Sequence, residues 1–456
     1  MMLFRSFFAK YKPYYVANLK LAIPVVVSQM GHTLVALSDN IIMGRTGTIP
    51  LAACSLGNSI FAIFLVAGLG MSHGVTPLIA QERGKENYQE CGKLLSNTLW
   101  VGMVVGLLLF LLNTIMVILL QEFKQVTAVT EQCRPFLFLL GTSIIPLMIF
   151  QVFRQFAEGL GFTKQAMMIS IMGNTINIGV GITLVFGLFG IKAMGIKGLG
   201  YSALIDRTIM SIAMASYVLR SPKFKPYLSQ FVVTAFDYQR IKKILKNGIP
   251  VSFQYLFEVS AFSSAAILIG WLGIKELAAH QIALSLAATT YMMATGIGAA
   301  ATIQTGTSWG AKNYTQLRYA AIGSYHIIIT FMIMCSIIFV FANRFLPSLY
   351  INDSSVIELA ATLLIIAALF QLSDGIQVVG LGILRGMSDV KIPTMITLVA
   401  YWGIGLPSGY WMAFHLHMGA QGVWYGLSLG LLVSASFLFI RFNHLSKDRR
   451  YRTAYK

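Results

Sequence analysis

Apolar stretches follow one another along this chain, parted by short polar segments. Twelve reach the roughly twenty residues that a helix needs to cross a bilayer. They run at about 15–43, 51–80, 94–120, 135–157, 166–190, 198–219, 244–271, 277–306, 318–342, 356–384, 393–414 and 420–441. The first extends from about Tyr14 to Met43, too long for a signal-peptide core, and is read as a retained helix. Several stretches exceed a minimal span and hold Gly or Pro, as at Pro24, Gly31 and Gly68-Leu69-Gly70. Interruptions of this kind suit tilted or bending membrane helices, and small residues also serve close helix packing. The pattern predicts an all-α polytopic membrane protein with twelve transmembrane helices.

The polar positions show a duplication. The longest connection, 220–243, is basic and carries Pro222 and Pro226. It divides the chain into an N-lobe, 1–219 (helices 1–6), a cytoplasmic linker, 220–243, and a C-lobe, 244–456 (helices 7–12) with a basic cytoplasmic tail. A shift of 226 residues aligns Ile23-Pro24 with Ile249-Pro250 and Leu51-Ala52-Ala53 with Leu277-Ala278-Ala279. It also aligns Ser59 with Ser285, Gly70 with Gly296, Thr76 with Thr302, Gly84 with Gly310, and Asn87-Tyr88 with Asn313-Tyr314. Six helices per repeat is even, so both lobes share one orientation. A pseudo-twofold axis along the membrane normal and a central site between the lobes are expected.

Composition sharpens this picture. The chain is 56% apolar and 11% charged, with mean hydropathy +0.72. Soluble domains carry about 25% charged residues, so this chain lacks the polar surface to clothe several of them. The net charge of +18 would by itself point to nucleic acid. Its placement points elsewhere. With the N-terminus inside, 26 Lys and Arg fall in cytoplasmic segments, seven in outer loops, and Arg207 within helix six. That bias sets both termini in the cytoplasm and the basic face against anionic lipid. Four scattered cysteines without a CxxC pair exclude a zinc or disulfide framework. GxxxxGK[ST], HExxH and GxSxG are absent. Hence no enzyme is expected, and any pumping needs an ion gradient or a partner.

The informative residues are acids inside apolar helices: Asp39 in helix one, Glu258 in helix seven and Asp374 in helix ten. A carboxylate in hydrocarbon costs at least about 2.5–3.5 kcal/mol. Each should therefore face a cavity, a cation or a partner, and can choose between H⁺, Na⁺ and a cationic substrate. The competing reading is a structural acid capped by neighbouring hydroxyls or amides. Asp206 and Arg207, in helix six, are read as structural. The repeat aligns Glu258 with His32 and Asp39 with Ala265, so the lobes share a scaffold and differ in chemistry. Gln29, Ser59, Asn174, Asn177, Gln281, Tyr291, Gln371 and Gln377 are either interhelical glue or the lining of a partly polar cavity. Among 22 Met and 55 aromatic residues, adaptable walls and cation–π faces would suit lipophilic cations.

This constellation resembles the multidrug and toxic compound extrusion (MATE) family, in its NorM branch, over about residues 14–442. The resemblance rests on Ile23-Pro24, Asp39-Asn40, Met43-Gly44, Leu51-Ala52-Ala53, Gly84-Lys85-Glu86-Asn87-Tyr88, Glu258 and Ala279-His280-Gln281. It also rests on the run from Asp374 through Gln377-Val378-Val379 and Leu384-Arg385-Gly386 to Asp389 and Pro393. It implies two lobes, a V-shaped central cavity and cation-coupled antiport. By the same resemblance, Glu258 and Asp374 form a Na⁺ site in the C-lobe and Asp39 is linked to protonation or substrate release in the N-lobe. Ser59, Gln281, Tyr291 and Asp353 match positions of drug or ion contact. Two positions depart from the family: Gly181 stands four residues after Asn177 where relatives carry Asn or Asp, and Phe370 stands where some sodium-coupled relatives carry Tyr.

The sequence thus predicts a secondary multidrug exporter. It would exchange Na⁺ or H⁺ for amphipathic organic cations by rocker-switch alternating access. It would need no cofactor and bind no nucleic acid, and work as a monomer among the lipids of a bacterial cytoplasmic (inner) membrane. The alternatives are a flippase for lipid-linked precursors and a non-transporting receptor or scaffold.

Overall fold

A bilayer offers the backbone no hydrogen-bond partners, so a spanning chain must satisfy its amides internally. The computed structural model describes residues 2–123 and 126–447, and every regular element among them is helical. Lys124 and the tail residues Arg449, Arg450, Arg452 and Lys456, counted above, lie outside the described residues.

The first half comprises α1 (Met2–Gly44), α2 (Thr48–His73), α3 (Thr76–Gly84), α4 (Tyr88–Leu119), α5 (Thr127–Gly159), α6 (Thr163–Phe186) and α7 (Ile196–Arg220). The second comprises α8 (Tyr238–Gly270), α9 (Ile274–Gly310), α10 (Tyr314–Phe341), the short α11 (Phe345–Ser348) and α12 (Ser354–Gly386). It ends with α13 (Lys391–Leu398), α14 (Leu406–Phe414) and α15 (Gly419–Lys447). Among the described residues, eleven helices are long and apolar enough to cross a membrane, with α2 and α3 forming one of them. The remaining expected span, the eleventh at 393–414, is present in three joined pieces: α13, a π-helical segment Val399–Gly405, and α14.

The duplication extends to the backbone. Asn87 caps α4, its side chain accepting from Glu90 N at 3.4 Å; Asn313 caps α10, accepting from Gln316 N at 3.0 Å. The residues before these caps, Glu86 and Lys312, both take left-handed φ values, 58° and 55°. The same shift relates Gly47 and Gly273, with φ of 132° and 155°.

Contacts group the chain into two compact units: an N-unit, 27–252, and a C-unit, 1–26 with 253–456. Both boundaries fall two residues beyond an in-helix proline, Pro24 or Pro250, and they stand one repeat apart (252 − 26 = 226). Each first helix of a repeat therefore begins in one unit and ends in the other. In the N-unit, α5 packs on α2, α4 and α7 around Phe136, Phe150 and Phe156. The connection after α7 is fastened to α4: Val232 N donates to Ser96 Oγ (3.0 Å) and Asp237 N to Asn97 Oδ1 (2.7 Å). Arg240 closes it with a two-pronged pair to Glu90, at 2.8 and 2.9 Å. In the C-unit, α12 packs on α9, α10 and α15. The α9–α12 crossing is tight at Gly298 and Gly382, where a Cβ on Gly382 would fall on the Gly298 carbonyl. Thr302 Oγ1 donates to Gly382 O beside it, at 2.9 Å.

Candidate functional site

Both units bury carboxyl groups. In the C-unit, α8 supplies Glu258 and α12 supplies Asp374, 5% and 3% exposed, close enough for their charges to interact. Two phenols hold Glu258. Tyr291, on α9, donates to Oε2 at 3.3 Å, and Tyr401 donates to Oε1 at 3.4 Å. Tyr401 belongs to the π-helical segment, whose extra residue per turn changes the direction of side chains relative to the flanking α-helices. Gln377 Nε2, one turn after Asp374, donates to the Tyr401 hydroxyl at 2.8 Å. Gln371 lies fully buried one turn before Asp374 and donates to Thr290 Oγ1 at 2.7 Å. The helical spacing of 371, 374 and 377 thus aligns amide, carboxyl and amide on one face of α12. Arg385, near the end of α12, stacks over the Tyr255 ring at 5.7 Å. His280 is fully buried and accepts from Trp424 Nε1 at 3.1 Å.

In the N-unit, Asp39 on α1 has the Arg207 guanidinium and the Asp206 carboxyl as charged neighbours. Arg207 donates to Ser143 Oγ at 2.5 Å and lies over the Phe61 ring at 4.8 Å. Asp206 is 5% exposed and its carboxyl faces the Asn177 amide. Position 181, which carries no polar side chain, lies under α7: a Cβ there would be 3.3 Å from Ser202 Oγ. The carboxylate opposite Asn177 therefore comes from α7 instead of α6. Gly173 permits this approach, since a Cβ on it would crowd Asp206 Oδ1.

The candidate residues separate accordingly. Glu258, Asp374, Tyr291 and Gln371 meet in the C-unit; Asp39 and Asn177 belong to the N-unit. Gln29 is half-buried on α1, its carbonyl accepting from Thr33 Oγ1 at 3.4 Å. Ser59 and Gln281 are exposed; Ser59 Oγ donates to Ser55 O at 2.8 Å, and the Gln281 carbonyl accepts from Ser285 Oγ at 2.7 Å. Asp353 caps α12, accepting from Ser355 N at 2.8 Å and Ser355 Oγ at 2.6 Å. Tyr401 is the residue that sequence reasoning passed over. One more aromatic in an apolar run carries no mark, and the glycines beside it, Gly403 and Gly405, are a weak one.

A family model described as MatE matches residues 24–183 and 250–411, the two repeats. The chain belongs to the MatE family. A protein of Mesorhizobium japonicum named "Probable multidrug resistance protein NorM" is 32% identical over 440 residues, 95% of this chain and 94% of that protein. A protein of the same name from Agrobacterium fabrum is 32% identical over 457 residues, covering 98% and 97%. Among solved structures, a eukaryotic MATE transporter, AtDTX14, superposes with a TM-score of 0.87 at 19% identity, covering 98% of this chain and all of that one. A MOP superfamily transporter from Pyrococcus furiosus gives 0.87 at 20% identity, covering 95% and 97%. MatE proteins are membrane transporters, and this multi-pass chain is a transporter, not an enzyme.

Proposed function

We propose that this MatE protein is a secondary multidrug exporter in a bacterial inner membrane. It exchanges Na⁺ or H⁺ for amphipathic organic cations by rocker-switch alternating access, as a monomer with both termini in the cytoplasm. The reading is carried by the Glu258–Asp374 pair: two buried carboxyls in membrane-crossing helices, close together, with phenolic donors on one of them. Two adjacent buried carboxyls favour uptake of a cation, and releasing that cation restores the repulsion. Glu258 and Asp374 would hold Na⁺ or a proton, and protonation of Asp39 in the N-unit would lower affinity for the organic cation and release it. Coupling needs only that each cation bind one state of the carrier better than the other. The names of the bacterial relatives support drug export as the outcome.

The test uses protein reconstituted in proteoliposomes loaded with a fluorescent organic cation. Sodium and proton gradients are imposed separately. Efflux should respond to at least one gradient, and Asp374→Asn should abolish that response. Full gradient-dependent efflux in Asp374→Asn would sink the assignment of coupling to that pair, and no response to either gradient would sink antiport itself.

A further inference from the structure

Arg207 has no part in the exchange as described, yet it sits in a membrane-crossing helix where a guanidinium is costly to bury and keeps its charge. Its direct partners, Ser143 and the Phe61 ring, are both uncharged. The charges it feels are those of Asp39 and Asp206. Among the described residues, however, no ion pair within 4 Å joins it to either. The acids are left with buried oxygens that nothing donates to: Asp39 Oδ1 and Asp206 Oδ1. Asn177, 3% exposed and facing Asp206, adds a third unbonded oxygen, its Oδ1. Buried acceptors without donors are a small minority in folded proteins, and here they belong to two carboxyls whose charges interact and to the amide that faces one of them, a surrounding suited to a cation.

The charges can be summed. Two carboxylates and one guanidinium leave one negative charge. Arg154, the other arginine near His32, is already paired with Glu158 at 2.7 Å and adds nothing. In the C-unit the corresponding charge is that of Arg385, which reaches Glu258 from over the Tyr255 ring, whereas Asp374 feels only the Glu258 charge.

We infer that Arg207 is a built-in counter-cation, a specificity-determining residue that holds the Asp39–Asp206 cluster of the N-unit at one net negative charge. Asp39 and Asp206, with Asn177, then take a single exchangeable monocation of the lipophilic organic class. Ser143 and Phe61 keep the guanidinium near enough to weaken the carboxylates' pull and too far to occupy them. This inference rests on the proposed cation exchange and adds which residue sets the charge of its N-unit half.

The test is equilibrium binding of radiolabelled tetraphenylphosphonium to purified full-length protein. Asp39→Asn should weaken binding, which places the probe in the N-unit. Arg207→Gln removes a positive charge and should tighten binding at least about tenfold, the effect of one unit charge about 12 Å away at an effective dielectric near 20, which grows as the charge comes nearer. Arg207→Lys should match the wild type, and Arg207→Gln with Asp39→Asn should return to the wild-type value. A merely structural arginine would give weaker binding in Arg207→Gln and no return in the double variant; either result overturns the inference, as does undiminished binding by Asp39→Asn. Should Arg207→Gln fail to fold, Asp206→Asn in the Arg207 background decides. Binding about tenfold weaker supports the inference and unchanged binding overturns it. No binding by the wild type or any variant would be a different failure, that of cation recognition as a whole.

Discussion

Tyr401 donates its phenolic hydroxyl to Glu258 across 143 residues of sequence, and Gln377 donates to that same hydroxyl. One oxygen therefore joins α8, α12 and the π-helical segment around the acid. Tyr401→Phe keeps the ring and removes the junction. It leaves the buried Gln377 Nε2 without its acceptor, an omission that costs about 1–3 kcal/mol. The variant should fold, unfold at lower temperature in detergent, and need about tenfold more coupling ion for half-maximal efflux. Unchanged ion dependence would mean that the phenol does not support the ion site.

The second prediction concerns Asp353, which resemblance placed among drug or ion contacts. Its carboxylate is held below its ordinary value of 3.8, chiefly by the Ser355 hydroxyl and then by the Ser355 amide. That is capping chemistry at the start of α12. Asp353→Asn and Asp353→Ser retain a capping acceptor and should export within twofold of the wild type. Asp353→Ala should lower the unfolding temperature while transport per folded molecule persists. Loss of transport in the asparagine variant would restore a contact role.

Asp237 gives a prediction in pH. The Arg240 backbone amide, and then the Arg240 charge, hold its carboxyl below 3.8. A depressed carboxylate adds stability above its unfolded value and loses it as pH falls through the folded one. The fastening of 221–237 to α4 should thus be insensitive from pH 8 to 5 and loosen only below about 4. Hydrogen exchange of peptides from this segment, corrected for intrinsic rates, reads it. Asp237→Asn should exchange faster throughout, with a flatter pH response.

Glu86 and Lys312 supply a fourth. Non-glycine residues in left-handed conformation cost about 1–2 kcal/mol, partly offset by glycine's freedom in the unfolded chain. Glu86→Gly and Lys312→Gly should each be neutral to stabilising, by up to about 1 kcal/mol. Calorimetry of both would show whether the two repeats carry equal strain. The opposite holds at the α9–α12 crossing, where Gly382→Val must displace the Gly298 backbone and should lose most of the folded yield.

These cases show what could be read from residues alone. The spans were legible because a bilayer enforces length and apolarity, and the duplication because Asn87 and Asn313, or Gly70 and Gly296, recur without gaps. The left-handed turns were not, since Glu86 and Lys312 are residue types that give no sign of positive φ. The eleventh span reads as one apolar run, and its π-helical segment leaves no imprint on hydropathy. Glu258 and Asp374 stood out as acids in hydrocarbon. Their partner Tyr401 did not, because side-chain meetings between distant helices follow from packing and not from local period. That Asp206 faces Asn177 was not legible either, since it depends on the close approach of α7 at Gly173.

The exchange of first segments between the units has a consequence for biogenesis. Residues 27–252 emerge as one continuous stretch, so the N-unit has all its parts before residue 253 is made. Residues 1–26 precede the N-unit in the chain, yet they group with residues 253–456. At the Asn18–Ser324 hydrogen bond, 2.8 Å long, the earlier residue waits for 306 more to be made. Residues 1–26 are thus synthesised before the N-unit and reach their final neighbours only after it.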